Sequence, residues 1–290
     1  MRALDWARTA KHRAFIVTKK ARWTMRDWKI RVADTHWAAR SRGGTFGYHP
    51  EQFGATFLTR LPVREVTQES AVPNILWAFW LGPAEPNARR NQAIANLRRQ
   101  PRVEVRIVTD PAEVELPDHP FHPAFIDLNP MHKSDYLRAY VMHHHGGAYA
   151  DIKQLECPVA DVIDELNSSP ELWLAGYREV TSRHVPDLPR ELGWYLKHEY
   201  RRVIGPSGFV FRPGTAFTGE WVREMHARLD YFREPLREAG WGEGSPYDKP
   251  LHYPIRWSEI LGDIVQPLCL KYQDRILFTD AVRPLLRDYR

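Results

Sequence analysis

The chain has 290 residues, 43% hydrophobic, 27% charged and 12% aromatic, which excludes a disordered, collagenous or coiled-coil protein and suits one large α/β domain with an added arm. Its net charge of +5 is uneven: residues 1–42 hold 12 Lys or Arg against 3 Asp, a balance of +9, leaving 29 basic against 33 acidic residues elsewhere. No apolar run approaches the roughly 18–20 residues that cross a bilayer, and Cys157 and Cys269 alone exclude a disulfide framework or a thiolate zinc cluster. The first residues alternate Arg, Trp and Lys where a secretory signal would be continuously apolar, so a cytoplasmic location is expected.

In chain order, residues 1–42 form a basic arm. Ala7, Ala10, Ala14, Val17, Ala21, Met25, Trp28 and Val32 recur at three-and-four spacing, the pattern of one helical face. This stripe has two expected uses, docking on the protein's own core or entering the acyl boundary of an anionic membrane while Lys and Arg reach the head groups. Nucleic acid is not an expected partner, since nothing beyond the cationic helix supports it. Residues 43–72 are poorly periodic and read as a connector, and residues 73–290 as the catalytic-size domain.

That domain opens with a buried strand, Asn74 to Leu81, a helix, Asn87 to Arg99, and a second strand, Val103 to Val108, a β-α-β start. A helix from His132 to His145 stops at Gly146-Gly147 and leads into a strand, Ala148 to Ile152. Strands are predicted at Leu172 to Tyr177 and Gly208 to Phe211, and a long helix at Thr215 to Phe232, with Trp221, Met225 and Leu229 facing the core. Residues 240–256, rich in Gly, Pro and aromatics, read as a mobile loop near a site. Alternating strands and helices imply an α/β sheet. His143, His144 and His145 cannot all face one ion, because consecutive helical positions point about 100° apart; they read as a helix end where imidazoles meet the negative dipole.

The chemistry is expected around Lys133-Ser134-Asp135-Tyr136-Leu137-Arg138 and Gly146-Gly147-Ala148-Tyr149-Ala150-Asp151-Ile152-Lys153. Asp135 and Arg138 are one turn apart on one helix face, and Asp151 falls where a strand emerges at its carboxyl end, the edge where open α/β sheets bind ligands. The paired glycines allow a tight turn and close approach of a ligand such as a nucleotide.

With Ser134, Asp135, Arg138, Gly146, Gly147 and Asp151 at these spacings, the stretch resembles the core of the DXD-type glycosyltransferases of family 32 and their capsular-polysaccharide-synthesis relatives. Pro73 to Gly82 is similar to that family's first strand, and Gly205-Pro206-Ser207-Gly208-Phe209-Val210-Phe211 resembles a later block, so the likeness spans about residues 72–235. The resemblance implies a GT-A nucleotide-sugar-binding fold, a mostly parallel central sheet flanked by helices, that moves a hexose with retention of configuration from a nucleotide-sugar donor to a surface-polysaccharide or lipid-linked glycan acceptor. It implies that Asp135 and Arg138 hold donor-sugar hydroxyls, that Asp151 contacts ribose and sugar, and that Trp80 packs on the base. An enzyme of this kind would work in the cytoplasm, peripherally at the inner membrane face if the arm binds lipid. A non-catalytic nucleotide-sugar or glycan-binding relative is the alternative.

The chain departs from the pattern at one position. Where the family carries a second, metal-ligating acid, this sequence has Lys153, which cannot ligate a divalent ion while protonated. Three readings stay open: the Lys153 ammonium replaces manganese or magnesium at the departing diphosphate; metal is held by Asp151 with His252 or Glu259; or catalysis has been lost.

Overall fold

The structure is a computed structural model and describes residues 24–39, 47–54, 56–62, 70–82, 84–241 and 252–285. It is an α/β protein with a six-stranded sheet. In chain order, α1 (residues 24–39) precedes β1 (Ile75–Phe79), α2 (Ala88–Leu97), β2 (Glu104–Val108), α3 (Pro130–His144), β3 (Gly147–Ala150), α4 (Val159–Asn167), β4 (Leu174–Arg178), α5 (Arg190–His198), β5 (Ile204–Phe211), α6 (Ala216–Ala239), α7 (Gly262–Lys271) and β6 (Ile276–Phe278).

The sheet order is β2-β1-β3-β5-β4-β6. β1 is parallel to β2 and β3, β4 is parallel to β6, and β5 runs antiparallel to both β3 and β4. Five strands therefore share one direction, and the amino half of β5 lies beside their carboxyl ends. Alternate residues serve opposite faces, as strand geometry requires. Trp77, Phe79, Tyr149, Leu174, Phe209 and Phe211 pack with α3, α6 and α7 through residues such as Tyr140, Trp221, Met225 and Leu268. Leu76, Ala78, Ala148, Ala150, Ala175 and Val210 pack with α2 and α4 through Ala93, Leu97, Val162, Ile163 and Leu166. Helices thus cover both faces of the mixed sheet, and the small alanines of the second face let α2 and α4 approach it closely.

Local chemistry explains the helix starts. Asn87 accepts from the Arg90 backbone N–H at 3.0 Å, Asn129 from that of His132 at 2.8 Å, and Thr215 from that of Thr218 at 3.3 Å, each side chain meeting one of the donors a helix leaves unpaired. Pro130, with no N–H to lose and its φ already helical, follows the Asn129 cap. At the other end of α3 the chain reverses through Gly146 and Gly147, with φ of +70° and +101°. A Cβ on Gly147 would stand 2.8 Å from the Ile75 carbonyl oxygen, so both the backbone conformation and the approach of β1 require glycine there.

Several expectations are amended. β5 begins at Ile204, four residues before the predicted strand, and α6 continues past Phe232 to Ala239 through Pro235. Trp221, Met225 and Leu229 of α6 are fully buried, as expected. The connector stretch is more than a tether, because Phe53, Phe57 and Leu58 lie in the main core. Of the 240–256 loop, residues 242–251 lie outside the described residues, whereas Tyr253 is anchored: its hydroxyl sits 2.9 Å from His132 Nδ1 and accepts from the Asn129 backbone N–H at 3.3 Å.

The arm differs most. Ala7, Ala10, Ala14, Val17 and Ala21 lie outside the described residues. In α1 the side that meets the core carries Asp34, Trp37 and Ala38 instead of the predicted stripe. Asp34 is buried and accepts from the Thr181 hydroxyl at 2.7 Å and from the Ser182 backbone N–H at 3.3 Å; Trp37 packs edge-on to His198 with ring centroids 3.6 Å apart; and Asp27 pairs with Arg183 at 3.0 Å. Met25, Trp28 and Val32 are exposed on the other side. The docking face is specified by a buried acid whose acceptors match hydroxyl and amide donors, a signal that apolar periodicity does not register. No helix among the described residues is long and apolar enough to cross a membrane.

Candidate functional site

Asp151 is the first residue after β3, and its backbone N–H donates to the Ser207 carbonyl at 2.8 Å, extending the β3–β5 ladder by one rung. The carboxylate therefore stands at the carboxyl edge of the sheet. Tyr149, two residues earlier and on the same strand face, donates its hydroxyl to Asp151 Oδ1 at 2.9 Å. Arg138 projects from α3 and donates Nη2–H to the same oxygen at 3.2 Å and Nη1–H to the Pro206 carbonyl at 3.3 Å. Lys153 donates to Asp151 Oδ2 at 2.8 Å and to Ser207 Oγ at 3.3 Å. Asp135 Oδ1 lies 3.6 Å from Arg138 Nη1, a looser pair one helical turn away. Four elements, α3, β3, the turn after it and β5, thus place two carboxylates and two cations in one cluster.

The cluster is nearly closed to solvent. The side chains of Asp135, Lys153, Arg138 and Asp151 are 6%, 10%, 13% and 18% exposed, so charges within it interact through a medium less polarisable than water. Burial is the largest influence on Asp151 and pushes its carboxyl up, but the Arg138 guanidinium, the Lys153 ammonium and the Tyr149 hydroxyl together outweigh it and hold the acid below the ordinary carboxylate range. For Arg138, burial opposes the charge and is exceeded by the combined pull of Tyr149, Asp151 and Asp135, so the guanidinium is held firmly protonated. The Tyr149 ring lies under that guanidinium, 4.5 Å from its carbon, and burial raises its hydroxyl well above the usual phenol range. Arg138 Nε is buried with no hydrogen-bond partner, an orphaned donor inside the cluster.

Of the residues singled out in the sequence, Asp135, Arg138, Asp151 and Lys153 come together. Trp80 lies just past β1, half-buried against the second core layer, and its indole N–H donates to the Ala84 carbonyl at 2.9 Å. Glu259 belongs to another ion cluster, facing Arg256 at 2.5 Å and Arg228 at 3.6 Å, and His252 is exposed. Among the described residues no three His, Cys, Asp or Glu side chains gather as a metal-ligand set. As arranged, the Asp151 site does not fit a divalent ion: each carboxylate oxygen accepts from a cation, and the next side chain on that face is an ammonium that repels one. The three consecutive histidines diverge, His143 to Thr218, His144 onto the His119 ring and His145 to the Val114 carbonyl.

Sequence reasoning assigned no role to Tyr149, Ser207 or Tyr177. Tyr149 was within reach of the two-residue alternation that ends at Asp151. Ser207 lies in the Gly-Pro-Ser-Gly block, whose importance is the approach of β4: a Cβ on Gly205 would fall 2.1 Å from the Tyr177 ring, and the Tyr177 hydroxyl accepts from the Ser207 backbone N–H at 3.4 Å. That contact depends on pairing between β4 and β5 and has no local signal.

Two clefts open on the same edge. One, of about 710 Å³, lies between α1 and the turn after β4 and includes Arg31, Asp34, Thr181, Arg183, His184 and Arg201; the other, of about 760 Å³, includes Glu156, Cys157, Val180, Asp280 and Arg283. Neither is lined by Asp151, so the assignment of the site rests on its buried charges at the sheet edge and not on cavity size. Comparison with protein-family models, curated proteins and solved structures finds no match to this chain.

Proposed function

We propose that the chain is a nucleotide-sugar-dependent glycosyltransferase on a GT-A-type fold, transferring a hexose with retention to a surface-polysaccharide or lipid-linked acceptor. One observation carries the reading: Asp151, Arg138, Asp135 and Lys153, four positions at or next to the family-like pattern, converge in a single buried cluster at the carboxyl edge of a mostly parallel sheet. Resemblance alone would be a fold-level analogy; the convergence adds a site with chemistry suited to the task.

Retaining transfer asks for a stabilised leaving diphosphate and an oxocarbenium-like sugar more than for a strong nucleophile. In this reading Asp151 and Asp135 accept from donor hydroxyls, and Arg138, whose Nε lacks a partner, turns its planar donors to the donor sugar. Trp80 packs against the base. Lys153, held by Asp151 and Ser207, supplies the fixed positive charge at the diphosphate oxygens as the anomeric carbon–oxygen bond breaks and its electron pair passes to the diphosphate, while the acceptor hydroxyl oxygen bonds to the anomeric carbon on the same face and gives its proton to the departing phosphate oxygen.

A non-catalytic nucleotide-sugar or glycan-binding role is the second reading, favoured by the same pairing: both Asp151 oxygens are occupied by cations in the free protein. Thermal-shift screening with nucleotide sugars tests binding, since a donor at 100 times its dissociation constant stabilises the fold by about 2.7 kcal/mol. Chromatographic detection of released nucleoside diphosphate then separates the two. A shift with release supports the transferase, a shift without release supports binding alone, and the absence of both across the common donors contradicts each.

A further inference from the structure

α1 sorts its side chains in a way that the composition of the arm does not reveal. Both acids of the helix, Asp27 and Asp34, are turned to the body of the protein, where Arg183, Thr181 and Ser182 engage them. Met25, Trp28 and Val32 are 60%, 62% and 51% exposed, one turn apart on the outward side. Arg26 and Lys29, both exposed, stand among them. The outward side is therefore apolar and cationic with no acid. The turn that receives Asp34 leaves the carboxyl end of β4, so α1 flanks the edge that carries Asp151.

We propose that this outward face is a docking surface for an anionic lipid bilayer. Charge complementarity selects that occupant. A second copy of the chain would bring the same cations against themselves, whereas an anionic leaflet attracts Arg26 and Lys29 and accepts Met25, Trp28 and Val32 at the acyl boundary, the indole of Trp28 suiting the interfacial depth. The helix lies flat in the plane of the surface, held there by its inward face. The surface itself stands independently of the transferase reading.

Sedimentation of the full chain with vesicles is the test. It should bind mixed phosphatidylcholine–phosphatidylglycerol vesicles and not vesicles of phosphatidylcholine alone, with binding weakened by salt. Met25→Ser with Trp28→Ser should reduce partitioning at least about tenfold, equivalent to about 1.4 kcal/mol, with the melting temperature and any donor-induced shift unchanged. Arg26→Glu with Lys29→Glu, which leaves the apolar side chains in place, should do the same. Equal binding by either variant and the wild type would overturn the proposal, as would equal binding to neutral vesicles. So would a concentration-dependent dimer in size exclusion that the serine variant dissolves, since a second copy would then be the occupant.

Discussion

Replacing Asp151 by Asn keeps the shape of the side chain and removes the charge that compensates two buried cations. Severing a buried ion pair by neutralising one partner costs roughly 3–5 kcal/mol. Here the cost is smaller, because Arg138 keeps Asp135 at 3.6 Å and the Pro206 carbonyl at 3.3 Å, Lys153 keeps the Ser207 hydroxyl at 3.3 Å, and the amide oxygen of Asn still accepts one bond. A loss of about 2–3 kcal/mol follows, which for a chain of 290 residues lowers the melting temperature by about 3–5 °C. The pH dependence is the more specific signature. Because the folded-state acid is held below its ordinary value, its contribution is complete above the unfolded carboxylate pKa, about 4, and disappears as pH falls through the depressed folded value. Melting followed by circular dichroism should therefore show a steeper acid loss in the wild type than in Asp151→Asn, the two curves converging at low pH. A variant that melts with the wild type at neutral pH, with the same acid limb, would refute the view that Asp151 holds Arg138 and Lys153 in place.

Arg138→Lys preserves charge but loses the planar fork that reaches Asp151 and Pro206 together, so donor affinity should fall at least about tenfold, on the order of 1.4 kcal/mol; titration calorimetry with the best donor measures it, and intact donor binding with only a lower melting temperature would reduce the residue to a structural role. Burial holds His143, His144 and His226 neutral, with pKa lowered to about 4, 3 and 4. The unfolded chain binds these protons below about pH 6.5 and the folded chain does not, so stability should decline as pH falls from 6.5 toward 4, by up to about 1.4 kcal/mol per pH unit for each histidine. Denaturant titrations across that window check it, and a flat profile would contradict it.

Much of the β1-α2-β2 start was legible because each element is long enough to show its own period and is closed by strong turn signals. The α3-to-β3 passage was legible for a different reason, since Gly146 and Gly147 mark the only backbone that fits between α3 and β1. What escaped depends on tertiary context. α7 is buried on every side, Pro267 included, and so shows no polar face from which a helical period could be read. β6 has three residues, too few for an alternation. Gly205, Pro206 and Ser207 are turn formers and hide the first half of β5, which is held as strand by the pairing of Ile204 with Arg178 of β4 and by the Asp151 backbone N–H donating to the Ser207 carbonyl. Asp151 could be placed at a strand end from sequence, but its engagement by Lys153 and Ser207 required the antiparallel β5 beside it. Of the arm's apolar stripe, Met25, Trp28 and Val32 are exposed on α1, away from the core; the choice between its two expected uses was not legible, because apolar spacing says which residues align and not what they meet.

In the proposed transferase the Lys153 ammonium supplies the charge that a metal would otherwise bring to the departing diphosphate. The direct measurement is release of nucleoside diphosphate from the donor identified by thermal shift, in excess chelator, by the wild type and by Lys153→Ala. Release should persist in the wild type and fall at least about tenfold in the variant, on the order of 1.4 kcal/mol of lost transition-state stabilisation, with or without manganese. Loss of the wild-type reaction in chelator with recovery on adding manganese, or undiminished release by Lys153→Ala, would contradict the claim.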